Sequence, residues 1–344
     1  MTLLRFTGER HSASERGVRN SQPEGIGRVA ALGNLWAWNN LGRNVVFAGP
    51  DLVVQAVFEE TDFPGQDEPS QYDLDLHAIV RLEPEGLVLA LNHLGALRVF
   101  RVEDLASARG GRARPVAKLA YAEDVERAVV AQGRLFTSRP ARSAGLLVSE
   151  PVAGALGHER LACEPLLSQW GPVTALAASP GGDALAVGAG RRVGLFALRG
   201  GRPAPLWDRA VPLHAAWLAW SGETIFAAGG DPPPQDIGDE DWDALRGGAL
   251  LALRTSDGGE IFSRRLPDLA WGNGGVALCS VPGAVCGLDR RGGLHAFSTR
   301  DGAALGATGP LSDRPLGIAH AAAAGNAVIA GFNRAGYRLY AFGS

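Results

Sequence analysis

His77 and His214 occupy the same place in two similar segments, LHAIVRLEPEG (76–86) and LHAAWLAWSGE (213–223). Imidazole serves as metal ligand or general base near neutral pH, so a repeated histidine is the first candidate for chemistry. His320, in AHAAAAG (319–325), is a third. Carboxylates gather in EETDFPGQDEP (59–69) and DPPPQDIGDEDWD (231–243). Clustered oxygen ligands suit Ca²⁺, but neither segment has the alternating Asp/Asn spacing and central glycine of a dedicated calcium loop. Both are read as solvated acidic loops, and no metal site or cofactor is assigned. The second loop also carries Trp242 between Asp241 and Asp243. An aromatic ring among carboxylates suits a basic or Arg-bearing protein partner, through cation–π contact and charge steering.

The remaining motifs point away from catalysis. The chain contains no GxSxG elbow, HExxH pair, Walker loop or CxxC. Residues 25–30, GIGRVA, fit a loose dinucleotide pattern, but they follow NSQPE, where a phosphate site needs a strand before the glycines and a helix after. Lys118 is the only lysine, in VAKLAY, an expected outer strand and a poor place for Schiff-base or P-loop chemistry. Residues 109–114, RGGRAR, form one basic cluster without interleaved aromatics, which reads as a solvated loop. With a net charge of −3, no attraction to nucleic acid or to an anionic membrane is expected. No stretch reaches the roughly 18 apolar residues of a membrane span. The first 24 residues read as a polar leader without a secretory signal. Three cysteines do not make a disulfide framework, so the cytoplasm is the expected compartment.

The positions of these residues follow from a repeat. Residues 173–199, VTALAASPGGDALAVGAGRRVGLFALR, are three short apolar runs split by Gly/Pro-rich turns, the pattern of antiparallel strands. Related units begin near Leu35, Leu76, Val125, Val173, Leu213, Gly275 and Leu316, a spacing of roughly 47 residues that matches four-stranded propeller blades. Seven copies predict an all-β, seven-bladed β-propeller spanning 25–344 as one domain, with 231–247 as an insertion in blade five. The last copy ends after its third strand, so its fourth is expected from the N-terminus, at 27–33. Trp36, Trp38, Trp217 and Trp220 are expected on inner strands as packing residues. Trp170 and Trp271 precede inner strands and are candidate contacts at the channel mouth. Counting outward from Pro282-Gly283 pairs Cys279 with Cys286 across a hairpin, as two buried thiols.

Blade four resembles a WD40 repeat at Val173, Ser179-Pro180-Gly181, Asp183, Leu185-Ala186, Gly188, Val193 and Leu195. No Gly-His pair stands just before Val173, and the third strand holds Phe196-Ala197 where the family has Trp-Asp. Residues 248–262 and 292–305 resemble quinoprotein-type repeats, with Phe262 where those carry tryptophan. Both resemblances imply a propeller and neither implies an activity.

These observations favour a non-catalytic interaction scaffold whose binding face carries Trp242, Asp241, Asp243, His77, His214, Trp170 and Trp271. The alternatives are a small-molecule sensor, or a metal-dependent hydrolase or lactonase working through His77 and His214. No oligomeric state is assigned.

Overall fold

A four-stranded sheet with two apolar faces has to bury both, and a ring of such sheets does so by packing each blade on two neighbours. A computed structural model describes residues 4–10, 26–40, 44–59, 76–92, 94–140, 142–230, 248–266, 271–272, 275–276, 278–289, 291–313, 316, 319–332 and 336–342. They form seven antiparallel blades. From the axis outward, blade one is Ile26–Ala31, Trp36–Asn40, Asn44–Ala48 and Val54–Phe58, and blade two is Leu76–Leu82, Leu87–Asn92, Ala96–Arg101 and Ala117–Ala120. Blade three is Arg127–Ala131, Arg134–Ser138, Leu146–Ser149 and Cys163–Leu166, and blade four is Ala175–Ala178, Ala184–Ala189, Arg192–Arg199 and Arg202–Ala210. Blade five is His214–Ser221, Thr224–Gly230, Gly248–Arg254 and Glu260–Leu266, and blade six is Leu278–Val281, Ala284–Leu288, Leu294–Ser298 and Ala304–Ala307. Blade seven is Ala319–Ala324, Ala327–Phe332 and Gly336–Phe342, completed by Leu4–Arg10.

The core is distributed over seven seams. Each apolar cluster joins two adjacent blades, as where Val45, Phe47 and Phe58 of blade one meet Ile79, Val88 and Phe100 of blade two. Second strands lie deepest: Leu87–Asn92 is buried along its whole length. Near the axis space is short. A Cβ on Gly188 would come within 3.1 Å of the Ala175 and Ala215 side chains, which explains the small residues there.

Ring closure uses an N-terminal strand, but not the expected one. Leu4–Arg10 pairs with the last strand, from Leu4↔Phe342 to Arg10↔Tyr337, within the segment read as a polar leader. Residues 27–33 instead contribute the inner strand of blade one, so Trp36 and Trp38 fall on its second strand, where both are buried. The misassigned phase has a physical cause. Outer strands of blades are normally polar and exposed, as Arg202–Ala210 is, but Val54–Phe58 is covered. The connection leaving blade two's third strand folds back over it as a short helix, Val102–Ser107, whose Leu105 joins the seam. Gly111–Arg112 then adds a fifth, parallel strand beside Ala56 and Val57. Hence an outer strand has the apolar character of an inner one. The basic cluster 109–114 is therefore a clasp between blades, with Arg112 donating to the Glu59 carbonyl, while its three arginines stay exposed to solvent as expected. The acidic segment that begins at Glu59 thus follows the fourth strand of blade one.

The Cys279↔Cys286 register is as counted from the turn. Both thiols are free and buried, and contact with Cys279 together with burial pushes the Cys286 thiol well up.

Deleting residues 1–12 should remove the closing strand and expose the edge of Gly336–Phe342. Six paired positions at about 0.5–1 kcal/mol net per hydrogen bond imply a loss on the order of 3–6 kcal/mol. Thermal unfolding and size-exclusion chromatography should show a lower midpoint and association; an unchanged monomer would contradict the closure.

Candidate functional site

All inner strands begin on one face of the ring, here the upper face, and their first residues line the top of the central channel. Four neighbouring blades place a basic side chain there: His320 from blade seven, Arg28 from blade one, His77 from blade two and Arg127 from blade three. With Glu126 and Trp217 they line a cavity of about 200 Å³.

Local irregularity aims these groups. The pairing register slips between Ile26 and Val29, around Arg28, and between Leu76 and Ala78, at His77. A third slip, between Ala215 and Trp217, falls at Ala216. Bulges leave an extra residue outside the ladder and redirect its side chain or carbonyl. The Arg28 amide donates to Asn39 Oδ1 at 2.5 Å, which holds the first bulge. Ala216 O, exposed by the third, accepts from Arg127 Nη2 at 3.4 Å. Arg127 Nη1 donates to the Glu126 carbonyl at 2.9 Å, and the guanidinium stands 5.8 Å from the Trp217 ring centroid. Arg127 Nε is buried and makes no hydrogen bond.

The histidine tautomers follow from their partners. His77 Nδ1 lies 2.5 Å from the Val125 carbonyl, so Nδ1 carries the proton. Arg28 Nη1 lies 3.2 Å from His320 Nδ1; a guanidinium can only donate, so His320 accepts at Nδ1 and carries its proton on Nε2. Burial, then the charges of Arg28 and Arg127 and the proximity of His77, push the His320 pKa well below its ordinary value. Burial lowers Arg127 to about 9, assisted by Arg28 and opposed by Glu126. The site gathers hydrogen-bonding groups from two guanidinium side chains and two imidazoles.

Only part of the expected set comes together here. His77 lines the cavity. His214 does not; it begins the inner strand of blade five, half-buried, its pKa lowered by burial and then by Arg191. The two matching histidines thus do not line one cavity, and no group of three metal-ligating side chains occurs among the described residues. Trp170 is buried, not an exposed contact. It packs edge-on against Phe196 at 5.2 Å, lies over Gly194, where a Cβ would collide with its ring, and is covered by the Arg192 guanidinium 4.0 Å from the ring centroid. Arg192 is in turn paired with Asp208. Trp271 lies in a two-residue strand paired with Gly275–Val276 ahead of blade six. Trp242, Asp241 and Asp243 lie outside the described residues. Their insertion is rooted on the upper face, since Gly230, just before it, pairs with His214. Arg28 and Arg127 were missed by sequence reasoning. The only signal at Arg28 was the GIGRVA pattern, whose context is now clear: Ile26–Ala31 is a strand, and another strand follows it.

No protein-family model matches the chain, and no curated protein matches it by sequence. Among solved structures, it is similar to the Cps50 (Swd1) β-propeller domain of Myceliophteria thermophila, with a TM-score of 0.64 at 10% identity over 98% of this chain and 99% of that one. It is also similar to a computationally designed protein, Ika8, with a TM-score of 0.55 at 11% identity over 94% and 98% of the two chains. At such identity the likeness establishes the propeller fold alone. No helix among the described residues is long and apolar enough to cross a membrane.

The depressed pKa of His320 makes stability pH-dependent. Below about 6.5 the unfolded chain takes up a proton at this position, while the folded chain stays neutral until a lower pH. Its contribution is therefore complete above pH 6.5 and is lost as pH falls from there toward the folded-state value. The slope is up to about 1.4 kcal/mol per pH unit. Chemical denaturation between pH 7.5 and 5 should show this fall, and His320→Gln should flatten it; equal slopes would contradict a neutral His320 among Arg28, Arg127 and His77.

Proposed function

We propose that this chain is a non-catalytic β-propeller that serves as an interaction scaffold in a cytoplasmic complex, and that its partner binds the upper face. The observation that carries this reading is that the strands flanking both acidic segments root them on that face. Segment 231–247 joins the second and third strands of blade five, and the segment after Phe58 joins the outer strand of blade one to the inner strand of blade two. In an antiparallel blade both kinds of connection leave from the end where inner strands begin. Six carboxylates in 231–243 and five in 59–69 are thus rooted on one side of the ring. Such a density of negative charge favours a basic or Arg-bearing protein surface, raises its encounter rate and disfavours acidic competitors. Trp242, flanked by Asp241 and Asp243, adds an aromatic face for a guanidinium. Trp271, on the same side, is a further candidate contact. Loops on a rigid ring are free to carry such contacts because the seams, not the loops, hold the fold.

The blades are assigned to the WD40-like type. Support comes from blade four, where Ser179 Oγ donates to Asp183 Oδ1 at 2.6 Å and accepts from the amides of Asp183 and Ala184 at 3.1 and 3.0 Å. The matching serine and aspartate thus lock the turn between the first two strands.

Replacing 232–245 with a short Gly-Ser linker, and separately Trp242→Ala, should leave the thermal midpoint nearly unchanged. Both should weaken or abolish co-purification of the partner, the linker variant more, with a salt-sensitive complex in the wild type. If both variants fold and retain every partner of the wild type, the upper-face assignment is wrong.

A further inference from the structure

The basic arc in the channel does work that a scaffold does not need. The partly buried Arg127 guanidinium stands near Arg28 and against Trp217, an arrangement that a bound anion would stabilise. Among the described residues Glu126 is the only carboxylate lining the cavity, and its charge acts on Arg127. Backbone carbonyls take up two of the Arg127 donors, but its Nε remains buried without a hydrogen bond. His320, held as the Nε2–H tautomer by Arg28, adds a neutral donor group. The bulges at Arg28 and His77 interrupt the regular ladder on neighbouring blades, and both side chains line the cavity. Irregular backbone of that kind is characteristic of places where a side chain is aimed at something.

We propose that the upper channel is a binding site for a small oxyanion, the carboxylate or phosphate group of a free small molecule, held by Arg28 and Arg127 with His320 and His77 beside it. The guanidinium fork matches the spacing of two oxygens on such a group, and ionised partners make the stronger hydrogen bonds. The volume of about 200 Å³ is below the usual range for drug-sized ligands, which restricts the occupant to a few heavy atoms beyond the anionic group. Trp217 supplies one apolar wall. This site selects the opposite charge from the acidic segments, so its test is read independently of the protein-partner reading.

Inorganic phosphate and succinate are the probes, each titrated into the full chain at constant ionic strength made up with chloride. Thermal unfolding should show a saturable rise of the midpoint with at least one of them, and calorimetry should show a single site per chain. Which of the two binds more tightly identifies the anionic group. Arg127→Gln should weaken that binding at least about tenfold, the loss expected for a charge-assisted hydrogen bond. Arg28→Gln is measured in parallel and carries the same expectation if Arg127→Gln does not fold. On the wild type, the bound anion should also protect the peptides containing Arg28 and Arg127 from phenylglyoxal. No response beyond the chloride control, an equal response in wild type and variants, or unprotected channel arginines would each overturn the proposal.

Discussion

Trp38 and Tyr337 meet with ring centroids 4.5 Å apart where the last blade packs on the first. Around them Trp36, Val46, Ala48, Leu52 and Ile329 complete an apolar seam like the six others. A propeller depends on this contact more than on any single blade, because an open ring leaves two sheet faces and one strand edge in water. The pairing of Leu4–Arg10 with Gly336–Phe342 covers the edge, and the aromatic seam covers the faces. Closure also fixes the channel, since His320 of blade seven and Arg28 of blade one are brought within hydrogen-bonding distance only across this seam.

The channel illustrates how a rigid ring tolerates an unfavourable constellation. Arg28, Arg127, His77 and His320 come from four consecutive blades, each held by its own seams, so like charges cannot separate by small movements of one element. The protein lowers the strain chemically instead. His320 stays neutral, and Arg127 gives two donors to carbonyls, one belonging to blade five. Charge that folding concentrates in this way is more often found at functional sites than elsewhere.

Much of the architecture was legible in the chain. The turn at Pro282-Gly283 sets the Cys279↔Cys286 register because a two-residue hairpin leaves no freedom in pairing. Strands two and three of blades two and four to seven could be read from apolar runs, since both faces of those strands are buried. The phase of blade one could not. Val54–Phe58 owes its apolar character to a helix and a fifth strand contributed by the following blade, a contact made more than forty residues later. The channel was equally hidden. The matching histidines 77 and 214 share a sequence context, but the basic side chains that line one cavity come from adjacent blades in dissimilar segments. Arg28 and Arg127 sit in dissimilar segments, and the bulges that aim Arg28 and His77 have no sequence signature.

Synthesis on the ribosome runs from residue 4 toward residue 342, so the strand that seals the ring is made first and its partner last. Six blades can acquire neighbours while the chain is still growing, but Leu4–Arg10 has nothing to pair with until Gly336–Phe342 has emerged. Until then the nascent protein carries an unsatisfied strand at each end, and any product cut short before the final blade carries them permanently. Closure thereby ties two segments more than three hundred residues apart: neither edge is covered until both strands are present.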